Sequence, residues 1–516
     1  MISRIVKANP LADPLRPGGG TVFGVVVGLL IGVLVAVIAI PRHSPVKVLS
    51  GPGGIAGPNG TAAGAAGTGA ASGAAGPGAA GTSGVAGPGG SAAAGAAGGS
   101  SSGVGGYGTT NVASGGGTSG LPRGVTSNTI RLGVAYPDLS ALKALGPSYN
   151  NGNVPAQWQA LIAGWRHRHV LPIGGRDIQL YFATYNVVSA DAQNAACRKL
   201  IEDDRVFAVI GVEYFQTGSD CVARQFHTPL ITNDGPSDAS LRGGAPYLYA
   251  LNMTTGRDLR NWIYWAQARH FLDKARIGVY YSTADPISVY DAQTNVIGLL
   301  AHLGHPVAAT ATTTHTLGGP EDGIAVQKFE SKRVNLALLL TSKGGFLDQA
   351  QAVNYKPQFI ESDYLFGTSD TTTSNYPADE WDGAYAITAT TEGAIAGGKP
   401  AGPGTTACIK NYETESHDSV SPATSNGHES AEYGYILAGC DEGDVLLAGL
   451  RAAGRELTVS RFLSGIKAIH GQHMRRVLTA DFRNRDDAAD TQRTLVWRKD
   501  CTCWRAISDP APLYTS

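Results

Sequence analysis

Seven consecutive residues, Glu213-Tyr214-Phe215-Gln216-Thr217-Gly218-Ser219, gather a carboxylate, two rings, a carboxamide and two hydroxyls on one short stretch. The run before them, VFAVIGV (206–212), is apolar, rich in β-branched residues and bounded by the acidic turn EDDR (202–205), which reads as a buried parallel strand. TGSDCVARQF (217–226) offers Thr217 and Ser219 as cap candidates ahead of Cys221, Val222 and Phe226 at helical spacing. TPLITND (228–234) is a second strand, which Pro229 can only start. The chemistry such a loop can do is binding. At the carboxyl ends of parallel strands a helix N-terminus presents unpaired N–H groups and a partial positive charge. From this stretch alone, an ordinary turn between strand and helix competes evenly with that reading.

Patterns that could carry catalysis or metal binding fail on inspection. Gly393 to Lys399 has the spacing of a phosphate-binding loop, but Pro400 stands where a magnesium-binding Ser or Thr belongs. His167 and His169, and likewise His470 and His473, lack a third ligand at metal spacing and read as solvated side chains. No nucleophile elbow occurs after the glycine-rich stretch. The expectation is a binding protein, not an enzyme, with no cofactor and no metal. Net charge is −1, from 40 basic and 41 acidic residues, so no global field favours nucleic acid.

The elements that would position the loop alternate. Strands are expected at 129–137, 177–186, 206–212, 228–234 and 247–253, with helices at 156–170, 189–204 and 217–226. After a helix over 257–273, whose apolar side carries Leu259, Trp262, Ile263, Ala266 and Phe271, the alternation starts afresh. Strands at 275–282, 306–313, 334–341, 358–362 and 383–390 make a second set, with helices between. Two successive βα sets of similar size imply two Rossmann-like lobes.

Ahead of these lie three further regions. Residues 1–20 are basic, and 21–40 (TVFGVVVGLLIGVLVAVIAI) are apolar over a length that spans a bilayer. An uncleaved signal anchor is expected, with the N-terminus cytoplasmic and the bulk extracytoplasmic in the cell membrane. Gly24, Gly28 and Gly32 form a small-residue stripe, a weak sign of helix packing. Residues 41–123 are a Gly/Ala/Ser-rich linker with almost nothing to bury, a flexible tether of root-mean-square span about 50 Å. The six cysteines all follow the apolar segment, so disulfides are the default if the chain crosses a membrane.

The ordered series GVTSNTIRLGVAYP (124–137), RKLIEDDRVFAVIGV (198–212), TPLITND, KARIGVYYSTAD (274–285) and QFIESD (358–363) resembles the type I periplasmic binding proteins. The closer likeness is to the branched-chain amino-acid-binding subfamily of ABC-transporter receptors, and it covers roughly 124–516. The resemblance implies an α/β fold of two lobes joined by three hinge crossovers. Lobe 1 would be about 126–250 and 400–480, and lobe 2 about 251–399 and 481–516. It further implies a Cys197–Cys221 disulfide, a Cys408–Cys440 tie between later helices of lobe 1, and a solute held between the lobes. The state of Cys501 and Cys503, in the turn of a terminal hairpin, stays open.

Carried over by position, a ligand carboxylate would be held by Gln216, Thr217 and Ser219, and an ammonium by Asp363 or Asp285. A helix cap before Pro286 is the plainer role for Asp285. Glu213, Tyr214, Phe215, Asn233 and Asp234 depart from the small residues of amino-acid binders. With Tyr136 they suit a neutral, cationic or aromatic solute equally well. The expected function is solute binding for ABC-type uptake, with an ABC permease or other membrane partner. The alternative is a non-transport sensor or cell-envelope interaction protein on the same fold.

Overall fold

The computed structural model describes residues 120–139, 151–187, 189–212, 215–315, 319–399, 401–425 and 427–515. The expected anchor at 21–40 and nearly all of the linker fall outside them. Among the described residues no helix is long and apolar enough to cross a membrane.

Short runs such as Ala208–Gly211 and Leu336–Leu340 are buried at every position, so both faces of their sheets must be covered. Five parallel strands make the first sheet: β1 (Thr129–Pro137), β2 (Asp177–Tyr185), β3 (Ala208–Gly211), β4 (Leu230–Thr232) and β5 (Leu248–Ala250), in the order β2-β1-β3-β4-β5. The second sheet repeats that order with β6 (Ile277–Ser282), β7 (Ala309–Thr313), β8 (Leu336–Leu340), β9 (Gln358–Glu361) and β10 (Tyr385–Thr388) as β7-β6-β8-β9-β10. Two strands, β11 (Gln472–His473) and β12 (Thr479–Ala480), pair separately. The antiparallel hairpin of β13 (Thr491–Arg498) and β14 (Cys503–Ala506) then extends the second sheet beyond β10, and β15 (Ala511–Pro512) pairs with β13. The fold is the α/β fold expected, with one parallel and one mixed sheet.

Three connections join the sheets: β5 to the helix Thr255–Ala268, β10 to the helix Thr405–Ser416, and β12 to β13. The first is bonded to the third, and the second to the turn between β11 and β12. Ala250 bridges Asp487 and Thr390 bridges Val477, while Thr391 N–H donates to the Arg476 carbonyl at 2.8 Å. Thr405–Ser416, the long helix Ala431–Ala453 and Val459–Lys467 return to the first sheet, where Leu437, Leu446, Leu450 and Phe462 share a core with Trp158 and Trp165. Gly164 makes one of these contacts possible, because a Cβ there would stand 1.6 Å from Asn411 Oδ1.

Several helices end where the local chemistry dictates. Ser189 caps Ala190–Arg198 by accepting from Ala192 N–H, and Asn153 caps Val154–His167 ahead of Pro155. That second helix stops at His167, short of the expected 170, because His169 turns left-handed at φ 56°.

All six cysteines are bonded, as Cys197–Cys221, Cys408–Cys440 and Cys501–Cys503. The first closes a separation of 24 residues between two helices on one face of the first sheet. Removing it as Cys197→Ser with Cys221→Ser should lower the unfolding free energy by about 3 kcal/mol, read from guanidinium denaturation. A loss within the scatter of ordinary surface substitutions would contradict that role.

Candidate functional site

The carboxyl ends of β1, β3 and β4 form the first half of the candidate site. Tyr136, half-buried at the end of β1, stands edge-on to Phe182 with ring centroids 6.3 Å apart. Burial raises its phenol, and the charge of Asp138 adds to that. Glu213 and Tyr214 lie outside the described residues. Phe215 does not face a solute. Its ring is wholly buried, 4.9 Å from Tyr185, in the core that holds Cys197 and Cys221. An aromatic next to a strand end can fill the layer under the following helix, and periodicity could not separate that from exposure.

The helix start is occupied from within. Thr217 and Gly218 N–H both donate to Gln193 Oε1, at 3.0 and 3.3 Å, and Gln193 is fully buried with its amide donating to the Val187 carbonyl. Ser219 Oγ donates back to the Phe215 carbonyl at 2.5 Å, and Asp234 Oδ2 accepts from Phe215 N–H at 3.3 Å. The groups the resemblance assigns to a ligand carboxylate are therefore largely satisfied by the chain itself, and only Gln216 is exposed. Asn233 differs. Its N–H donates to Glu442 and its carbonyl accepts from Asn252, but its buried Oδ1 has no hydrogen-bond partner among the described residues. That atom is a donor-seeking group at the end of β4.

The second half lies at the ends of β6, β8 and β9. Asp285 caps the helix at Pro286, accepting from Ser288 N–H at 2.8 Å and Ser288 Oγ at 2.6 Å, so both oxygens are engaged locally. Asp363 is internal rather than presented: it accepts from Thr368 Oγ1 at 2.5 Å and Ala389 N–H at 2.9 Å, and burial raises its carboxyl despite those bonds. Beside it, Ser362 Oγ donates to Asp258 at 2.7 Å. Burial and the nearby Asp363 push Asp258 well above the usual carboxylate range. Asp363 and Asp258 thus belong to the joint between sheets.

Sequence reasoning also missed an internal ion pair. Lys343, just past β8, lies 3.0 Å from Glu361 at the end of β9, and their side chains are 1% and 3% exposed. Burial holds Glu361 up at about 7 in spite of the lysine. The available signal was a charged residue at the end of each apolar strand, LALLLTSK and QFIE. Just beyond β9, Leu365 and Phe366 are consecutive left-handed residues at φ 48° and 57°, and Phe366 is 40% exposed. Two non-glycine residues in that region are held by their surroundings, and the turn sets an aromatic outward.

Two buried carboxyl groups meet one guanidinium near the connections, with a third carboxyl, Asp370, beside them. Arg476 pairs with Glu429 and, at 2.9 Å, with Glu392; Glu392 accepts from Asp370 N–H, and Asp370 accepts from Glu429 and Trp504 N–H. Burial pushes Glu429 up to about 8, opposed by Arg476 and reinforced by Glu392. A carboxyl raised in the folded state contributes stability that is complete below its unfolded value and is lost as pH rises through the folded one. Glu361 acts in the same direction, as do Asp441 and Asp291, each raised to about 6 chiefly by burial. The urea midpoint should therefore fall between about pH 5 and 8, and Glu429→Gln should flatten the upper part of that slope. Equal slopes for parent and variant would contradict this account of Glu429.

Residues 129–496 match the family model described as periplasmic binding protein. The chain belongs to that family. A periplasmic binding protein holds a solute and does not transform it, and the matched span covers the first sheet and the five parallel strands of the second.

Among solved structures, a branched-chain amino acid transporter substrate binding protein from Streptococcus pneumoniae in complex with isoleucine is 14% identical. The match covers 75% of this chain and 100% of that one, with a TM-score of 0.52. A solute binding protein of an ABC transporter from Rhodopseudomonas palustris BisB5, in complex with 3,4-dihydroxy benzoic acid, is 13% identical over 75% and 98%, with a TM-score of 0.53. A fatty acid ABC transporter substrate-binding protein from Thermomonospora curvata is 16% identical over 76% and 94%, with a TM-score of 0.54. At these identities the likeness is one of fold. No curated protein matches by sequence.

Proposed function

We propose that this periplasmic binding protein captures a small solute between two lobes, about 126–250 with 400–480 and about 251–399 with 481–516, for ABC-type uptake through a membrane permease. The observation that carries the reading is the pair of sheets with the same strand order, joined by three connections, the first bonded to the third and the second to the β11–β12 turn. Segment 21–40 anchors the chain in the cell membrane with its N-terminus inside, and 41–123 tethers the binding part outside.

The solute class favoured is apolar or aromatic rather than a zwitterionic amino acid. Thr217 and Gly218 N–H are already taken by Gln193, and Glu361 is already paired with Lys343. Tyr136 and the outward Phe366 offer rings, and Asn233 Oδ1 offers one acceptor for orientation. The relatives that bind isoleucine, a dihydroxybenzoic acid or fatty acids span that choice. A second reading, a non-transport sensor or cell-envelope interaction protein, draws on the same internally satisfied groups.

A thermal-shift panel of amino acids, amides, sugars, aromatic acids and fatty acids separates the two. Transport binding predicts a hit, with stabilisation growing with free solute, and it predicts the aromatic or apolar members ahead of the amino acids. No shift from any member, together with a co-purifying envelope protein, contradicts the uptake reading and supports the second.

A further inference from the structure

The Cys501–Cys503 bond has a different setting from the other two. Cys197 and Cys221 are wholly buried, and Cys408 and Cys440 are 5% and 8% exposed, whereas Cys501 is partly exposed at the tip of the β13–β14 hairpin. The first two bonds close separations of 24 and 32 residues, but the third spans only 2. A loop that short removes little freedom from the unfolded chain, so stabilisation is a weak reason for this bond. The residue it encloses, Thr502, is left-handed at φ 49°, a backbone conformation that a threonine adopts at a cost.

The same turn touches another part of the chain. His428 Nε2 lies 2.9 Å from the Cys501 carbonyl oxygen and 2.8 Å from Thr502 Oγ1. His428 belongs to a compact loop ahead of the helix Ala431–Ala453, in which Thr424 N–H donates to the His428 carbonyl and Ser430 N–H to the Pro422 carbonyl. Its neighbour Glu429 donates from N–H to Asp370, whose other oxygen accepts from Trp504 N–H, one residue beyond Cys503. The loop leads to a helix packed on the first sheet, and the hairpin is part of the second. The turn that carries the disulfide is therefore one side of a clasp between the two.

We propose that Cys501–Cys503 is a thiol–disulfide exchange site for a dithiol reductant, and that its reduction loosens the clasp to the 420–430 loop. A thiolate of the dithiol attacks the accessible Cys501 sulfur, and Cys503 leaves as a thiolate and takes up a proton. The second thiolate of the reductant then displaces Cys501. Two electrons and two protons pass to the protein, and the reductant ends as its own disulfide. With the ring opened, Thr502 can leave the left-handed region, and the carbonyl that His428 binds moves with it. Exposed, conformationally costly disulfides are the ones that exchange readily.

The test is a dithiothreitol titration of the full chain, with alkylation of free thiols read by peptide mass spectrometry and amide exchange followed in parallel. Cys501 and Cys503 should be labelled at a reductant concentration at least about tenfold below that needed for the other two pairs. Amide exchange at Thr424, Glu429 and Ser430 should quicken at the same point. Cys501→Ser with Cys503→Ser should show the quicker exchange without reductant. Labelling together with or after the other cysteines overturns the exchange site, and early labelling with unchanged exchange at those amides overturns the clasp.

Discussion

Lys343→Met should lower the unfolding free energy by about 3–5 kcal/mol, the cost of leaving a buried charge without its partner. Lys343 Nζ and Glu361 are 3.0 Å apart with almost no exposure on either side, so solvent cannot take over for the missing ammonium. Glu361 Oε1 already lacks a hydrogen-bond partner among the described residues, which leaves the carboxylate little else to lean on. Adding Glu361→Leu to Lys343→Met should recover most of the loss, because an apolar pair of similar volume replaces the ion pair at little net cost. Urea unfolding at pH 8, above the value of about 7 that Glu361 has beside Lys343, measures both variants. A single-variant loss below about 1 kcal/mol, as for a surface pair, would contradict the buried-pair account.

Arg257→Ala should cost a similar amount and act on the joint between the sheets. The Arg257 guanidinium donates to the carbonyls of Asp487, Ala489 and Thr515 at 3.0, 2.9 and 3.1 Å, and lies 3.2 Å from the Asp487 carboxylate. It thereby ties the first turn of the helix that follows the first connection to the third connection and to the C-terminal segment. Truncation leaves buried carbonyls and a buried carboxylate without these partners, a loss of about 3–5 kcal/mol. Arg257→Lys should recover little, because an ammonium cannot reproduce the planar fork that reaches three carbonyls at once. Denaturation gives the magnitude, and faster amide exchange at Ala488 and Thr254 gives the location. Faster exchange spread evenly over both sheets would argue against a local clamp.

The fold was legible because strand and helix signals from residue 124 onward are local. VFAVIGV and VNLALLLT read as buried strands, and their alternation with capped helices implied two βα sets, while the strand order came only with the structure. The site was less legible because its outcome depends on which face a side chain takes. Asp363 and Glu361 are two residues apart at one strand end, and only packing decides that Glu361 meets Lys343 while Asp363 turns to Thr368 and Ala389. Gln193 gave no signal at all. It lies in a different helix from the loop it satisfies, and nothing in its neighbourhood marks a carboxamide that will reach Thr217 and Gly218. The cap role of Asp285 was readable from Pro286 beside it, whereas the burial of Phe215 beside Tyr185 was not.

Solute capture between two lobes is the claim on which the rest depends, and an inter-lobe distance tests it most directly. Spin labels at Gln179→Cys on β2 and Lys328→Cys on the helix Glu321–Ser331 sit at exposed positions served by different sheets. Pulsed dipolar measurement with and without the solute that gives the largest thermal shift should show a shorter, narrower distance distribution in the bound state. A solute that binds and stabilises while the distribution stays unchanged would contradict closure of the lobes around it.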